Sequence, residues 1–177
     1  MEYIKTEIGA WIIEPLVLKD ERGYFMESYK KSEFEQKIGK VDFIQDNESK
    51  SSYGVFRGFH YQEGEAAQAK LIRAIQGKVW DIAVDIRKNS VTFGKYITVE
   101  LSEENKRQFF IPRGFAHGFL VLSETAVFSY KVDNIYSPAH ERTINCMDSD
   151  LAIQWPVDQS LIRLSEKDRL GKRLKDI

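Results

Sequence analysis

The run Val55-Phe56-Arg57-Gly58-Phe59-His60-Tyr61-Gln62 sets an imidazole among apolar neighbours, with Arg57 three residues before it and Lys70 ten after it. Imidazole titrates near neutral pH, so a histidine such as His60 suits the part of a general base. Two cations beside such a base suit an anionic ligand, or an oxyanion that develops as the base works. Each residue also has a plainer reading. A histidine in a strand is more often a core residue satisfied by one hydrogen bond, and a lone Arg or Lys is more often a solvated charge. It is the company of the three that points to chemistry.

The second anchor is Ile111-Pro112-Arg113-Gly114-Phe115-Ala116-His117-Gly118-Phe119. Its Pro-x-Gly-x-x-His spacing is similar to the second sequence signature of the cupin double-stranded β-helix. Gly114 permits a tight turn, which aims His117 into a barrel. Metal-binding cupins take two histidines, one residue apart, from their first signature. Here that place reads His60-Tyr61-Gln62, and tyrosine and glutamine are poor replacements in a site built for imidazole and carboxylate. No catalytic metal is expected. The residual alternative is a metal held by His60, Gln62 and His117.

Four further places carry polar groups. Tyr130 reads first as a barrel-filling aromatic, and Asp168 as a surface carboxylate on a charged tail. Gln45-Asp46-Asn47 reads as a turn, and Arg22 with Glu27 as a surface ion pair, weak in stability terms.

The elements that must position these residues are short strands. From Val55 to Val132 runs of about five residues alternate with turns every 8–12 residues, the pattern of a sandwich or barrel. Leu71–Ile75 leads through Gln76-Gly77-Lys78, an expected hairpin turn, into Val79–Ile86. Tyr96–Leu101, Gln108–Ile111, Gly118–Leu122 and Ala126–Val132 follow, and Pro138 ends the region. Upstream, Trp11–Ile13 and Leu16–Leu18 suit two strand pieces. Lys19–Gly23 is a charged turn, Tyr24–Tyr29 a strand, and Phe43–Ser49 another. Ser32–Ile38 predicts a short helix capped by Ser32 and stopped by Gly39. A second short helix is expected in the tail, capped by Ser165. The fold expected is all-β, with a jelly roll as the leading candidate.

At 177 residues without a linker or repeat, residues 1–177 are expected to form one domain. A net charge of −1 without a block of one sign argues against nucleic-acid and membrane-surface partners, yet permits a local basic pocket. The single cysteine, Cys146, cannot form an internal disulfide, which fits a reducing cytoplasm. The N-terminus carries Glu2, Lys5 and Glu7 and does not read as a signal peptide.

Along nearly its whole length the chain resembles the dTDP-4-dehydrorhamnose 3,5-epimerases. The matching stretches are Asp20–Glu27, Gln45–Ser49, Gly54–Gln62, Gln68–Leu71, Val84–Arg87, Ile111–Phe119 and Ser165–Asp168, in the family's order. The resemblance implies a cupin jelly roll, usually a homodimer, that acts on a thymidine diphosphate sugar without cofactor or metal. It implies His60 as base, paired with Asp168, and Tyr130 as acid. Lys70 and His117 would lie beside the sugar. Arg22 and Glu27, with Phe25 between them, would serve the nucleotide, the two charges reaching that of the neighbouring subunit. Gln45, Asp46, Asn47, Arg57, Glu141 and Lys167 match further ligand-contact positions. The implied reaction inverts C3 and C5 of a 4-keto-6-deoxyhexose.

Two departures stand out. Glu65-Ala66 replaces the family's proline and aromatic residue, and Cys146-Met147-Asp148-Ser149 replaces its Trp-Asn-Asp-Pro run. They leave a single-carbon epimerase or ketoisomerase open beside the double epimerase. A non-catalytic sugar-binding jelly roll and a metal-dependent cupin oxygenase are the readings from other classes.

Overall fold

The computed structural model describes residues 1–177. In chain order the strands are Glu2–Lys5 (β1), Trp11–Glu14 (β2), Leu18–Asp20 (β3), Gly23–Phe25 (β4), Gln45–Ser52 (β5), Phe56–Gln62 (β6), Lys70–Gln76 (β7), Lys78–Asp85 (β8), Tyr96–Ser102 (β9), Gln108–Ile111 (β10), Phe115–Val121 (β11), Thr125–Val132 (β12) and Glu141–Thr143 (β13). Two short α-helices, Lys31–Lys37 (α1) and Glu166–Arg169 (α2), complete the regular structure with a few 3-10 turns.

The strands form a six-stranded sheet, β1-β2-β10-β7-β12-β5, a five-stranded sheet, β13-β6-β11-β8-β9, and a separate hairpin of β3 and β4, with every strand pairing antiparallel. The two larger sheets face each other as a cupin jelly roll. Alternation along each strand decides what lies between them. Ile72 and Ala74 of β7, Phe109 and Ile111 of β10, and Ala126 and Phe128 of β12 meet Val79 and Ala83 of β8 and Phe115, Phe119 and Val121 of β11. The same alternation turns position 130 inward on β12, 70 on β7, and 117 on β11.

Both outer faces are covered as well. The segment after β13 lays Ile144, Cys146, Leu151, Ile153 and Ile162 over Phe56, Phe59, Ile82 and Leu120 of the five-stranded sheet. Phe34 of α1 packs on Ile13, Leu71 and Phe110 of the six-stranded sheet. This double cover explains why Gln108–Ile111 is buried at every position.

Several local expectations differ from the structure. Gln76-Gly77-Lys78 is not a hairpin turn, because β7 pairs with β10 and β12 while β8 pairs with β9 and β11. It is a corner that carries the chain from one sheet to the other. Gly77 has φ 73°, and a Cβ there would lie 2.1 Å from the Thr125 carbonyl oxygen, so the corner demands glycine. The strand expected over Tyr24–Tyr29 ends at Phe25, since Tyr29 turns in to pack on Phe34 and Phe43. The piece expected over Leu16–Leu18 begins only at Leu18. Helix α1 starts one residue before Ser32, and its N-cap, Lys30, makes no side-chain cap. The strand expected over Phe43–Ser49 runs from Gln45 to Ser52. Strands β1 and β13 were not apparent from the pattern. The tail helix matches its expected cap: Ser165 Oγ accepts from Asp168 N at 3.2 Å.

Candidate active site

His60 enters the interior from β6, in register with His117 on β11. Two glycines bring these strands close. A Cβ on Gly118 would lie 2.6 Å from the Phe56 ring and 2.9 Å from the Arg57 carbonyl oxygen; one on Gly58 would lie 2.5 Å from Gly118 Cα. The pairing shifts register between His117 and Phe119, and Phe119 stands opposite Arg57. Arg57 and His60 therefore share a face although they are three residues apart. Arg57 Nε donates to Ser51 Oγ on β5 at 2.9 Å, so its side chain spans from one sheet to the other.

Helix α2 packs beside β6 and delivers Asp168 to His60. Asp168 is 3% exposed, and its Oδ1 lies 2.5 Å from His60 Nε2. Burial alone would raise its pKa, but the His60 hydrogen bond and charge, the Ser165 hydroxyl and Lys167 outweigh it and hold the carboxyl below the usual range. Asp168 is thus the ionised acceptor of the Nε2–H proton, which fixes the tautomer and leaves Nδ1 with a free lone pair.

Tyr130 comes from β12, on the other sheet. Burial pushes its phenol up, Arg57 pulls against that, and Glu141 adds to it. The net shift is upward, so the phenol keeps its proton at neutral pH. Lys70 lies on β7, next to β12, where it is paired with Val132. Burial draws its ammonium down to about 8, with the carboxylates of Asp81 and Glu141 opposing the fall.

His60, Lys70 and Tyr130 line one cavity of about 240 Å³. Gln45 and Asn47 from β5 join them, their side chains linked by a 2.7 Å hydrogen bond, and Glu141 closes one edge. Lys167 forms an ion pair with Glu141, and Tyr136 Oη donates to Glu141 Oε2 at 2.6 Å. Burial would raise the Glu141 pKa, but these two bonds hold it below the usual range.

His117 does not line the cavity; it lies behind it, stacked near Phe128 with its Nε2 3.0 Å from both oxygens of the fully buried Asp81. Burial pushes its pKa down despite Asp81, and Lys70 and His60 add to the fall. Asp46 points the other way from Gln45 and Asn47, onto the outer face of the six-stranded sheet, where Lys131 Nζ binds it at 2.9 Å. Arg22, Phe25 and Glu27 stand on or beside the β3–β4 hairpin, outside the cavity of their own chain. Arg22 pairs with Asp20 and Glu27 with Lys30, rather than with each other, and Phe25 is 66% exposed.

The metal set of His60, Gln62 and His117 does not assemble. Both histidines present Nε2 to carboxylates, and both polar atoms of the Gln62 amide are bonded to backbone groups. Neither departure from the family pattern lines the cavity. Glu65-Ala66 forms a 3-10 turn at its rim, and Cys146–Ser149 lies over the outer face of the five-stranded sheet.

Sequence reasoning passed over Asp81 and Tyr136. Asp81 had a signal: an acidic residue on the inward row of an apolar strand must find a partner inside. Tyr136 sits in an irregular segment and had none.

The chain matches the family model described as dTDP-4-dehydrorhamnose 3,5-epimerase over residues 5–176. It is 54% identical to a dTDP-4-dehydrorhamnose 3,5-epimerase of Shigella flexneri, across 99% of this chain and 97% of that one. A crystal structure of an enzyme of that name from Elizabethkingia anophelis superposes with a TM-score of 0.95 at 55% identity, covering 99% and 97% of the two chains. A dTDP-6-deoxy-D-glucose-3,5-epimerase from Legionella pneumophila, solved in complex with dTDP-4-keto-L-rhamnose, superposes at 0.94 with 48% identity, covering 98% and 93%.

Proposed function

This chain belongs to the dTDP-4-dehydrorhamnose 3,5-epimerase family, and from that premise we propose how its cavity inverts two carbons of one sugar. The enzyme is an isomerase. It converts dTDP-4-dehydro-6-deoxy-D-glucose to dTDP-4-dehydro-L-rhamnose, a step of dTDP-L-rhamnose biosynthesis.

In this substrate C3 and C5 both flank the C4 ketone, so removing either hydrogen yields an enolate with its charge on the ketone oxygen. Lys70 is the cation for that oxygen. Such a donor in a low-dielectric site typically lowers the barrier by about 2.7–4 kcal/mol. His60 Nδ1 takes the proton while Asp168 stabilises the imidazolium at Nε2. Tyr130, held protonated and reaching in from the opposite sheet, supplies a proton to the other face of the carbanion. His60 then passes its proton to water and the Tyr130 phenolate takes one back from water, so both carriers are reset before the second carbon reacts. The observation that carries this reading is that His60 and Tyr130, from opposite sheets, line one cavity with Lys70.

At about 240 Å³ the cavity lies below the roughly 300–1,000 Å³ usual for small-molecule sites. It accommodates a sugar ring and leaves the nucleotide at its mouth. There Tyr136 offers a half-exposed ring on which a base can stack. Arg57 and Lys167 are the cations nearest to serve the diphosphate. Arg22, Phe25 and Glu27, exposed on their own chain, act on the nucleotide of a second copy in a homodimer. His117 supports Lys70 and His60 from behind, and Asp46 keeps Lys131 in place on the outer face. The protein works as a single domain in the cytoplasm, a placement that its single cysteine fits. No helix is long and apolar enough to cross a membrane.

The test is incubation with the 4-keto substrate in heavy water, read by NMR. Deuterium at both C3 and C5, each inverted, is expected. Label at one carbon alone would make the protein a single-carbon epimerase.

A further inference from the structure

Gln62 occupies the place where a metal-binding cupin carries its second histidine, and its side chain is fully employed. Nε2 donates to the Ala66 carbonyl at 3.0 Å and to the Ile135 carbonyl at 3.3 Å, while Oε1 accepts from Ser137 N at 2.5 Å. The Ile135 carbonyl and the Ser137 N–H belong to the two peptide groups on either side of Tyr136. One buried amide therefore holds both.

The connection closes on itself. Tyr136 Oη donates to Glu141, and Glu141 is the register partner of Gln62 across β13 and β6. The other bonds of this segment are local or run through Asn134: Ile135 N to Asn134 Oδ1, His140 N to the Ser137 carbonyl, and Gln68 Nε2 to the Asn134 carbonyl. Gln62 is the side chain that ties positions 135 and 137 directly to the sheet carrying His60. The Tyr136 ring it steadies is 48% exposed at the cavity mouth.

We propose that Gln62 is a positioning residue for nucleotide binding: it holds the backbone around Tyr136 so that the ring waits in place at the cavity mouth for the base of the substrate. This rests on the reading above that the nucleotide lies at that mouth. A ring fixed before binding loses less freedom on binding, so the benefit falls on affinity rather than on the chemical step. The amide is required for its two donors and one acceptor. Q62M keeps the length and loses all three bonds. Q62E keeps the acceptor oxygen but sets a carboxylate against two carbonyl oxygens.

The experiment measures dTDP affinity by calorimetry, and KM and kcat by NMR, for wild type, Q62M, Q62E, Y136A and Q62M/Y136A, with folding followed by circular dichroism. Both Gln62 variants are expected to raise the dTDP Kd and the substrate KM about tenfold, the scale of one or two lost hydrogen bonds, with kcat within about twofold. If Q62M does not fold, Q62E carries the same expectation. Adding Q62M to Y136A should change affinity by less than about twofold, because the ring that Gln62 positions is already gone. The proposal is overturned if Kd and KM stay at wild-type values, if kcat falls instead, or if the two losses multiply. If Y136A itself binds dTDP normally, the nucleotide does not lie at this mouth, and the placement of the substrate fails along with the proposal.

Discussion

Replacing Lys70 with methionine removes a charge and keeps the stem, and its effects on stability and activity should run in opposite directions. Burial has drawn this ammonium from 10.5 to about 8, against the pull of Asp81 and Glu141. At pH 7 it is still charged, so the folded state carries the net cost of that burial, desolvation less the attraction of Asp81 and Glu141. At about 1.36 kcal/mol per unit this is on the order of 3 kcal/mol. Between pH 8 and 10.5 the unfolded chain holds the lysine proton and the folded chain does not, so wild-type stability rises with pH across that window. The stabilisation of K70M is therefore full below pH 8, shrinks through the window, and is gone above it. For a domain of this size it corresponds to a melting temperature raised by about 6–12 °C at pH 7. Activity should fall meanwhile by about 10²–10³-fold, the loss of one preorganised donor at the enolate oxygen. Thermal unfolding at pH 7, 9 and 10.5, with kcat from product NMR, reads both effects. A variant less stable than wild type at pH 7, or as active as wild type, would refute the reasoning.

The same charge sets the alkaline limit of the wild-type enzyme, whose kcat/KM should decline as pH rises through about 8. Asp81 helps keep Lys70 protonated, so D81N should move that decline to lower pH; a pH profile that does not move would separate Asp81 from the chemistry. G118A drives a Cβ against Phe56 and the Arg57 carbonyl. It should destabilise the fold by about 1–3 kcal/mol and weaken activity by spreading β6 from β11, as a denaturant titration and an activity assay would show. R22A should raise KM without lowering kcat, and analytical ultracentrifugation should find a dimer. A monomer with full activity would exclude a site completed by a second copy.

Much of the site was legible because its chemistry is local in sequence. His60, Arg57 and Lys70 stand close along the chain, and alternation on two strands brings His60 and Lys70 into one interior. Asp168 was legible only through the family resemblance, since nothing in a charged tail says that it returns to His60. Alternation also limits Gln45-Asp46-Asn47: three successive residues on a strand cannot face one cavity, and Asp46 is the one turned out. The corner at Gly77 was misread because a glycine between two strand-like runs looks the same whether the chain folds back within a sheet or crosses to another. Arg22, Phe25 and Glu27 lie exposed on their own chain, and the part the resemblance implies for them on a neighbour's nucleotide would leave no mark within a single chain.

Isotope exchange in the Y130F and H60N variants tests most directly whether two proton carriers address opposite faces of one sugar. With the 4-keto substrate in heavy water, Y130F should exchange hydrogen next to the ketone with retained configuration, and H60N should exchange none. Inversion by Y130F at the wild-type rate, or exchange by H60N, would contradict that arrangement.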